Sequence, residues 1–227
     1  MPGNAHGLFS AFLDNLGAAL REAWWLPDDA STAHRDAANI FRETGDRHAE
    51  ARALNSLGLT LARKRQFDEA IAALQRAAAI FQDTGDRHAE GSTLNNLSAA
   101  LTEMRRFEEA IVAHQRAAGI FREVGDRHAE GSALNNLGVA LREKGRLQEA
   151  TAALEKAAKL FRETDDRHAE GSALNNLGLG LVKMRRYDQA IAAFEHASAL
   201  YEEAGDSGGK WKAWSNAETA RTARQAF

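Results

Sequence analysis

Four histidines recur at a fixed interval, His48, His88, His128 and His168, and each heads a run of further polar groups. With them stands a hydroxyl ladder, Ser92, Ser132 and Ser172, whose place in the earliest copy is taken by Arg52. Two amide ladders follow, Asn55, Asn95, Asn135 and Asn175 beside Asn96, Asn136 and Asn176. Imidazole can bind a metal or act as a base, a hydroxyl near it suggests a nucleophile, and an amide both donates and accepts hydrogen bonds. These residue types therefore offer metal binding, covalent catalysis or recognition of a polar backbone.

Spacing separates the three. Packed helices lie about 8 to 10 Å apart, whereas zinc needs its nitrogen ligands about 2 Å away, so histidines placed one per repeat do not converge and no metal is expected. Ser132 and His128 are four residues apart on one helix, with no acid placed to orient the imidazole, and the pair recurs by duplication. That is not a triad. The sequence has no cysteine, no phosphate-binding glycine loop and no paired-histidine zinc motif. It is expected to be no enzyme and to need no cofactor. The amides remain. Asn is a poorer helix former than Lys, Gln or Glu, so its use four times at one face position points to a ligand, because an amide can bond the backbone of an extended peptide without reading its side chains. The competing reading is that Asn keeps an exposed face soluble.

Composition narrows the partner. The chain has 227 residues, 44% of them hydrophobic and 27% charged, which suits a folded protein. A formal net charge of -3 supplies no basic excess for phosphates, so nucleic acid is not expected. No run approaches the roughly 18 apolar residues that span a bilayer, and no basic segment followed by an apolar core stands at the start. A soluble, cytoplasmic protein without a membrane partner is the expectation.

The elements that must carry the ladders follow from the period. Asp46, Asp86, Asp126, Asp166 and Asp206 are spaced by 40 residues, and residues 165 to 178 differ from 125 to 138 only in Asp165 replacing Gly125. Such periods indicate stacked supersecondary units. Leu54, Leu57 and Leu61 mark one helix, Lys64-Arg65-Gln66 a turn, and Phe67, Ala70, Ile71, Leu74, Ala77, Ala78 and Phe81 a second helix. Gly85 or Gly125 can end that second helix in the left-handed conformation, and the Asp after it can cap the next. The small residue at Gly58, Ser98, Gly138 and Gly178 is read as a close packing point for the second helix of the same unit.

At about 100° per residue, Leu134, Leu137 and Leu141 define the packed side of the first helix. His128, Ser132, Asn135, Asn136 and Val139 then point away from it, and Leu59, Ala99, Val139 and Leu179 form a shallow apolar floor. Arg127 and Glu130 fall on the packed side and are read as an i, i+3 pair. His34 and His114 occupy a second-helix position held elsewhere by Leu74, Leu154 or Phe194, so they are read as satisfied core histidines.

Leu137, Gly138, Leu141, Gly145, Ala150, Leu154 and Ala157 together resemble the pattern of the tetratricopeptide repeat. The unit is longer than the usual length of about 34 residues and lacks the helix-ending proline, as in the longer-repeat branch of spindle-orientation adaptors, kinesin light chains and many bacterial regulators. The resemblance implies an all-α fold, a right-handed superhelical α-solenoid. It implies one array over 1–227, with a degenerate first repeat at 5–44, full repeats at 45–84, 85–124, 125–164 and 165–204, and a capping helix at 205–227. It also implies that first helices line a concave groove and that groove Asn residues clamp a peptide backbone. A scaffold holding an extended segment of a protein partner is the reading favoured. The alternatives are a sensor or assembly array of a bacterial signalling system, and a homo-oligomer formed through an open array end. Trp24/Trp25 and Trp211/Trp214 are expected to pack the ends, the first pair being the better candidate for an exposed patch.

Overall fold

The structure, a computed structural model, describes residues 27–225. The first helix expected for the degenerate repeat, with Trp24 and Trp25, lies outside them. Every regular element among the described residues is an α-helix. Two compact units divide the chain, Met1–Arg106 and Phe107–Phe227.

The first unit contains α1 (Pro27–Thr44), α2 (Arg47–Arg63), α3 (Phe67–Thr84) and α4 (Arg87–Glu103), each packed on the next. Proline opens α1, where its fixed φ and missing N–H cost nothing. The second unit contains α5 (Phe107–Val124), α6 (Arg127–Glu143), α7 (Leu147–Glu163), α8 (Arg167–Lys183), α9 (Tyr187–Glu203) and α10 (Ser207–Gln225), again packed in sequence. First helices also touch one another, α2 with α4, and α6 and α10 each with α8.

The punctuation expected from the sequence is present. Gly85 ends α3 at φ 77°, and Asp165, which stands in the glycine position, takes φ 57°. The Asp side chains cap the following helices: Asp46 accepts from the Ala49 N–H at 3.0 Å, Asp166 from Ala169 at 2.9 Å and Asp206 from Gly209 at 2.9 Å. The other turn holds a surprise. Arg65, Arg105 and Arg185 are left-handed at φ 58–61°, a conformation that costs an ordinary residue roughly 1 to 2 kcal/mol. Gly145 at the same register was the sequence sign of it.

The core is a stripe of leucine, alanine and phenylalanine in each unit. Leu54, Leu57, Leu61, Leu74 and Phe81 are buried in the first, and Leu134, Leu141, Leu154, Phe161 and Phe194 in the second. A Cβ placed on Gly58 would stand 2.5 Å from Leu74, and one on Gly178 would stand 2.5 Å from Phe194. The small residue therefore does let the second helix of the same unit close in. Ser98 fills that register once, and its hydroxyl donates to the Leu94 carbonyl of its own helix, so no buried polar group is left over.

One carboxylate per repeat is buried beneath this stripe: Glu50, Glu90, Glu130 and Glu170. The expected i, i+3 partner holds only in the first unit, where Arg47 lies 3.5 Å from Glu50 and Arg87 lies 2.5 Å from Glu90. Arg127 instead pairs with Glu163, and Glu130 is met by Lys156 at 2.6 Å. Arg127 is more than half exposed, so its side chain reaches along the surface to α7 rather than down to its own helix. Arg76 meets Glu50 in the same way, from the second helix of the same pair, whereas Arg162 reaches Glu170 from the second helix of the preceding repeat. The buried acid is thus a lock between helices.

Candidate functional site

The polar ladders sit on the first helices, opposite the leucine stripe. In the first unit they are carried by α2 and α4. In the second they are carried by α6 and α8, with α10 alongside.

Three histidines of the ladder are tied to the helix cap of the next repeat. His48 Nε2 lies 2.9 Å from Asp86 Oδ2, His128 Nε2 lies 2.9 Å from Asp166 Oδ2, and His168 Nε2 lies 3.1 Å from Asp206 Oδ2. An ionised carboxylate only accepts, so Nε2 carries the proton. The same three rings stand edge-on to Phe81, Phe161 and Tyr201 at 5.6, 5.4 and 5.3 Å. These imidazoles are half exposed but not idle, since they join one repeat to the next. Among the described residues no group of three His, Asp or Glu side chains is arranged to hold a metal.

The cap carboxylates carry an electrostatic signature of this double use. The Ala89 N–H, with His48 behind it, holds Asp86 below the usual carboxylate range, and the Ala169 N–H, with His128, does the same for Asp166. A carboxyl whose folded value is depressed stabilises the fold above its unfolded value near 3.9, and that contribution is lost as the pH falls through the folded value. Asp166→Ala should therefore cost about 1 to 2 kcal/mol near pH 7 and distinctly less at pH 3. Urea unfolding at the two pH values checks this, and an equal cost at both would show that the charge contributes nothing.

The amides form a second chain of links. Asn96 Nδ2 donates to Asn55 Oδ1 at 3.2 Å, Asn176 to Asn135 at 3.1 Å, and Asn216 to Asn175 at 2.9 Å. In each of these three links an Asn reaches back to an Asn of the preceding first helix. Neither ligand contact nor solubility alone requires this. Asn55, Asn95, Asn96, Asn135, Asn136 and Asn176 are half-buried, while Asn175 is 5% exposed beneath α10. Asn216 continues the ladder on α10, and the 40-residue register carried past Asp206 would have found it.

The remaining sequence-picked residues divide. Leu59, Val139 and Leu179 are half-buried and Ala99 is exposed. Ser92, Ser132 and Ser172 are half-buried, and burial raises the pKa of Tyr201. Arg52 is exposed.

The terminal helix departs from expectation. Trp211 and Trp214 are 67% and 54% exposed and do not pack the end. They occupy the registers of Gly171 and Leu174, which α9 covers on α8; the core contacts of α10 are made instead by Ala213, Ala217 and Ala220.

The sequence profile of the tetratricopeptide repeat matches residues 26–83, 89–163 and 130–203. No curated protein sequence matches the chain. Solved structures resemble it at low identity. The apo form of RapI gives a TM-score of 0.79 at 17% identity, over 96% of this chain and 84% of that one. A Podosopora anserina protein described as a kinesin light chain with nearly identical TPR-like repeats gives 0.71 at 16%, over 86% and 95%. PilF of Pseudomonas aeruginosa gives 0.64 at 17%, over 90% and 88%.

Proposed function

Because the chain belongs to the tetratricopeptide repeat family, we propose that it is a protein-interaction scaffold that holds an extended segment of a partner against its first helices. The observation that carries this reading is the linked amides. Each link uses one Nδ2 hydrogen and one Oδ1 lone pair, so Asn96 keeps a donor and Oδ1, and Asn55 keeps both of its donors. A peptide backbone presents the matching acceptor and donor at regular intervals. The links also fix the side-chain torsions in advance, which lowers the ordering cost of binding.

Asn55→Ala, Asn96→Ala, Asn135→Ala and Asn176→Ala test it. Affinity for a peptide selected on the full chain should fall by about 1 to 3 kcal/mol where a backbone group is left unpaired. Stability should change by about 1 kcal/mol or less, since the lost link is offset by the better helix propensity of Ala, up to roughly 0.7 kcal/mol. Unchanged affinity in all four would take the ligand off this face.

Exposed tryptophans favour a second reading, association of copies through α10. If it holds, Trp211→Ser with Trp214→Ser should lower the mass seen by light scattering at high protein concentration. A wild-type mass that stays monomeric at every concentration removes it.

A further inference from the structure

The repeats are nearly identical, so places where they differ in shape deserve a reason. A concavity of about 470 Å³ opens in the first unit at the C-terminal turns of α2 and α4. Its floor includes Leu59, Ala99 and the ring of Phe67. Ala99 stands at the register of Leu59, Val139 and Leu179, so the space lies where a branched side chain is missing. Across the gap stands Ala62, at whose register α6 carries Arg142. Arg142 is only 12% exposed and lies 3.1 Å from Glu143, filling its own site with a long side chain.

Two guanidinium groups stand on the rim. Arg63 closes α2, is exposed, and has no ion-pair partner among the described residues. Arg65 is held left-handed at φ 61° and lies over the Phe67 ring, 5.6 Å from its centre. Lys64, between them, turns away to the Ser31 hydroxyl at 3.1 Å. One carboxylate, Glu103, answers these two cations on the opposite wall. The amide of Asn96, whose Oδ1 is unspent, lines the same space. A mostly apolar hollow of this size with a few polar groups at its rim is the form of a ligand site.

We propose that this hollow is a specificity pocket for one large apolar side chain of the bound segment, such as Leu, Met or Phe, flanked in that segment by Asp or Glu. The apolar group covers Leu59, Ala99 and Phe67, and the neighbouring carboxylate reaches Arg63 and Arg65, the two rim cations that outnumber the one anion. Arginine suits this because its planar fork can bind a carboxylate through two parallel hydrogen bonds. The pocket rests on the scaffold reading, which supplies the bound segment, and adds to it the side-chain choice that backbone-binding amides cannot make.

The chain's own repeats supply variants that each register tolerates: Ala99→Leu as at Leu59 and Leu179, Arg63→Glu as at Glu103 and Glu143, and Arg65→Gly as at Gly145. Short linear peptides displayed on phage are selected on the full chain, and the enriched ones are made with both ends blocked for fluorescence anisotropy. The enriched sequences should share an apolar residue beside Asp or Glu. Ala99→Leu should weaken them by about tenfold or more, and Arg63→Glu with Arg65→Gly by about tenfold, an effect that shrinks when the peptide's acid is replaced by its amide. Peptides weakened by Asn55→Ala but indifferent to the pocket variants would overturn the pocket and leave the scaffold reading standing. No enrichment, or indifference to both sets of variants, would overturn both.

Discussion

Arg162→Ala should destabilise the protein by about 2 to 4 kcal/mol, more than the loss of any surface ion pair in the chain. Arg162 places Nε and Nη2 2.7 Å from Glu170 Oε1, and Glu170 is 1% exposed with its other oxygen lacking a partner. Removing the arginine strands a buried carboxylate, and breaking a buried pair from one side costs several kcal/mol, discounted here because Arg162 itself is more than half exposed. The double variant Arg162→Ala with Glu170→Leu should recover most of the loss, because replacing both partners removes the stranded charge. For contrast, Arg146→Ala breaks an exposed i, i+3 pair with Glu149 and should leave stability nearly unchanged. Urea unfolding of the three proteins decides it. A double variant no more stable than Arg162→Ala would show that the buried acid is not the source of the cost.

Acid should weaken the second unit through His114. This ring is 1% exposed on α5, its Nδ1 has no hydrogen-bond partner, and burial holds its pKa down to about 4. It is therefore buried as expected but not satisfied at both nitrogens. Between an unfolded value near 6.5 and that folded value, the unfolded chain binds a proton that the native ring refuses. Stability thus falls as the pH drops through this window, by about 3 kcal/mol over its full width. His114→Leu, which restores the residue of Leu74 and Leu154 at that register, should abolish this share of the slope. Between pH 7.5 and pH 4.5 the wild type should lose about 2 to 3 kcal/mol more than the variant. Parallel losses would mean that His114 already titrates in the folded protein.

The fold was legible because its local rules repeat at one interval. Gly85 with Asp86, the leucine stripe and the small residue at Gly58 each solve a problem within one helix or one helix pair, and the 40-residue spacing displays each solution several times. What escaped the sequence lies between neighbouring first helices. The amide link joins residues 41 apart, Asn55 with Asn96, and the histidine link joins residues 38 apart, His48 with Asp86. Both depend on how far one helix slides past the next, which periodicity does not state. The exposure of Trp211 and Trp214 escapes the sequence for a related reason: the pattern of α10 matches a first helix, but which of its faces is covered depends on the helix packed against it. The pocket at Ala99 follows from absent bulk, and only the observed position of Arg63, Arg65 and Phe67 turns a short side chain into a hollow.

On the scaffold reading, the linked amides of the first helices face the partner. Side-chain amide resonances of Asn55, Asn96, Asn135 and Asn176, followed by heteronuclear NMR as a selected peptide is added to the full chain, test it most directly. These resonances should shift or broaden in step with occupancy, while the outward side-chain amides of Gln75 and Gln115 on second helices stay in place. Shifts confined to the second helices, or to the indoles of Trp211 and Trp214, would contradict it.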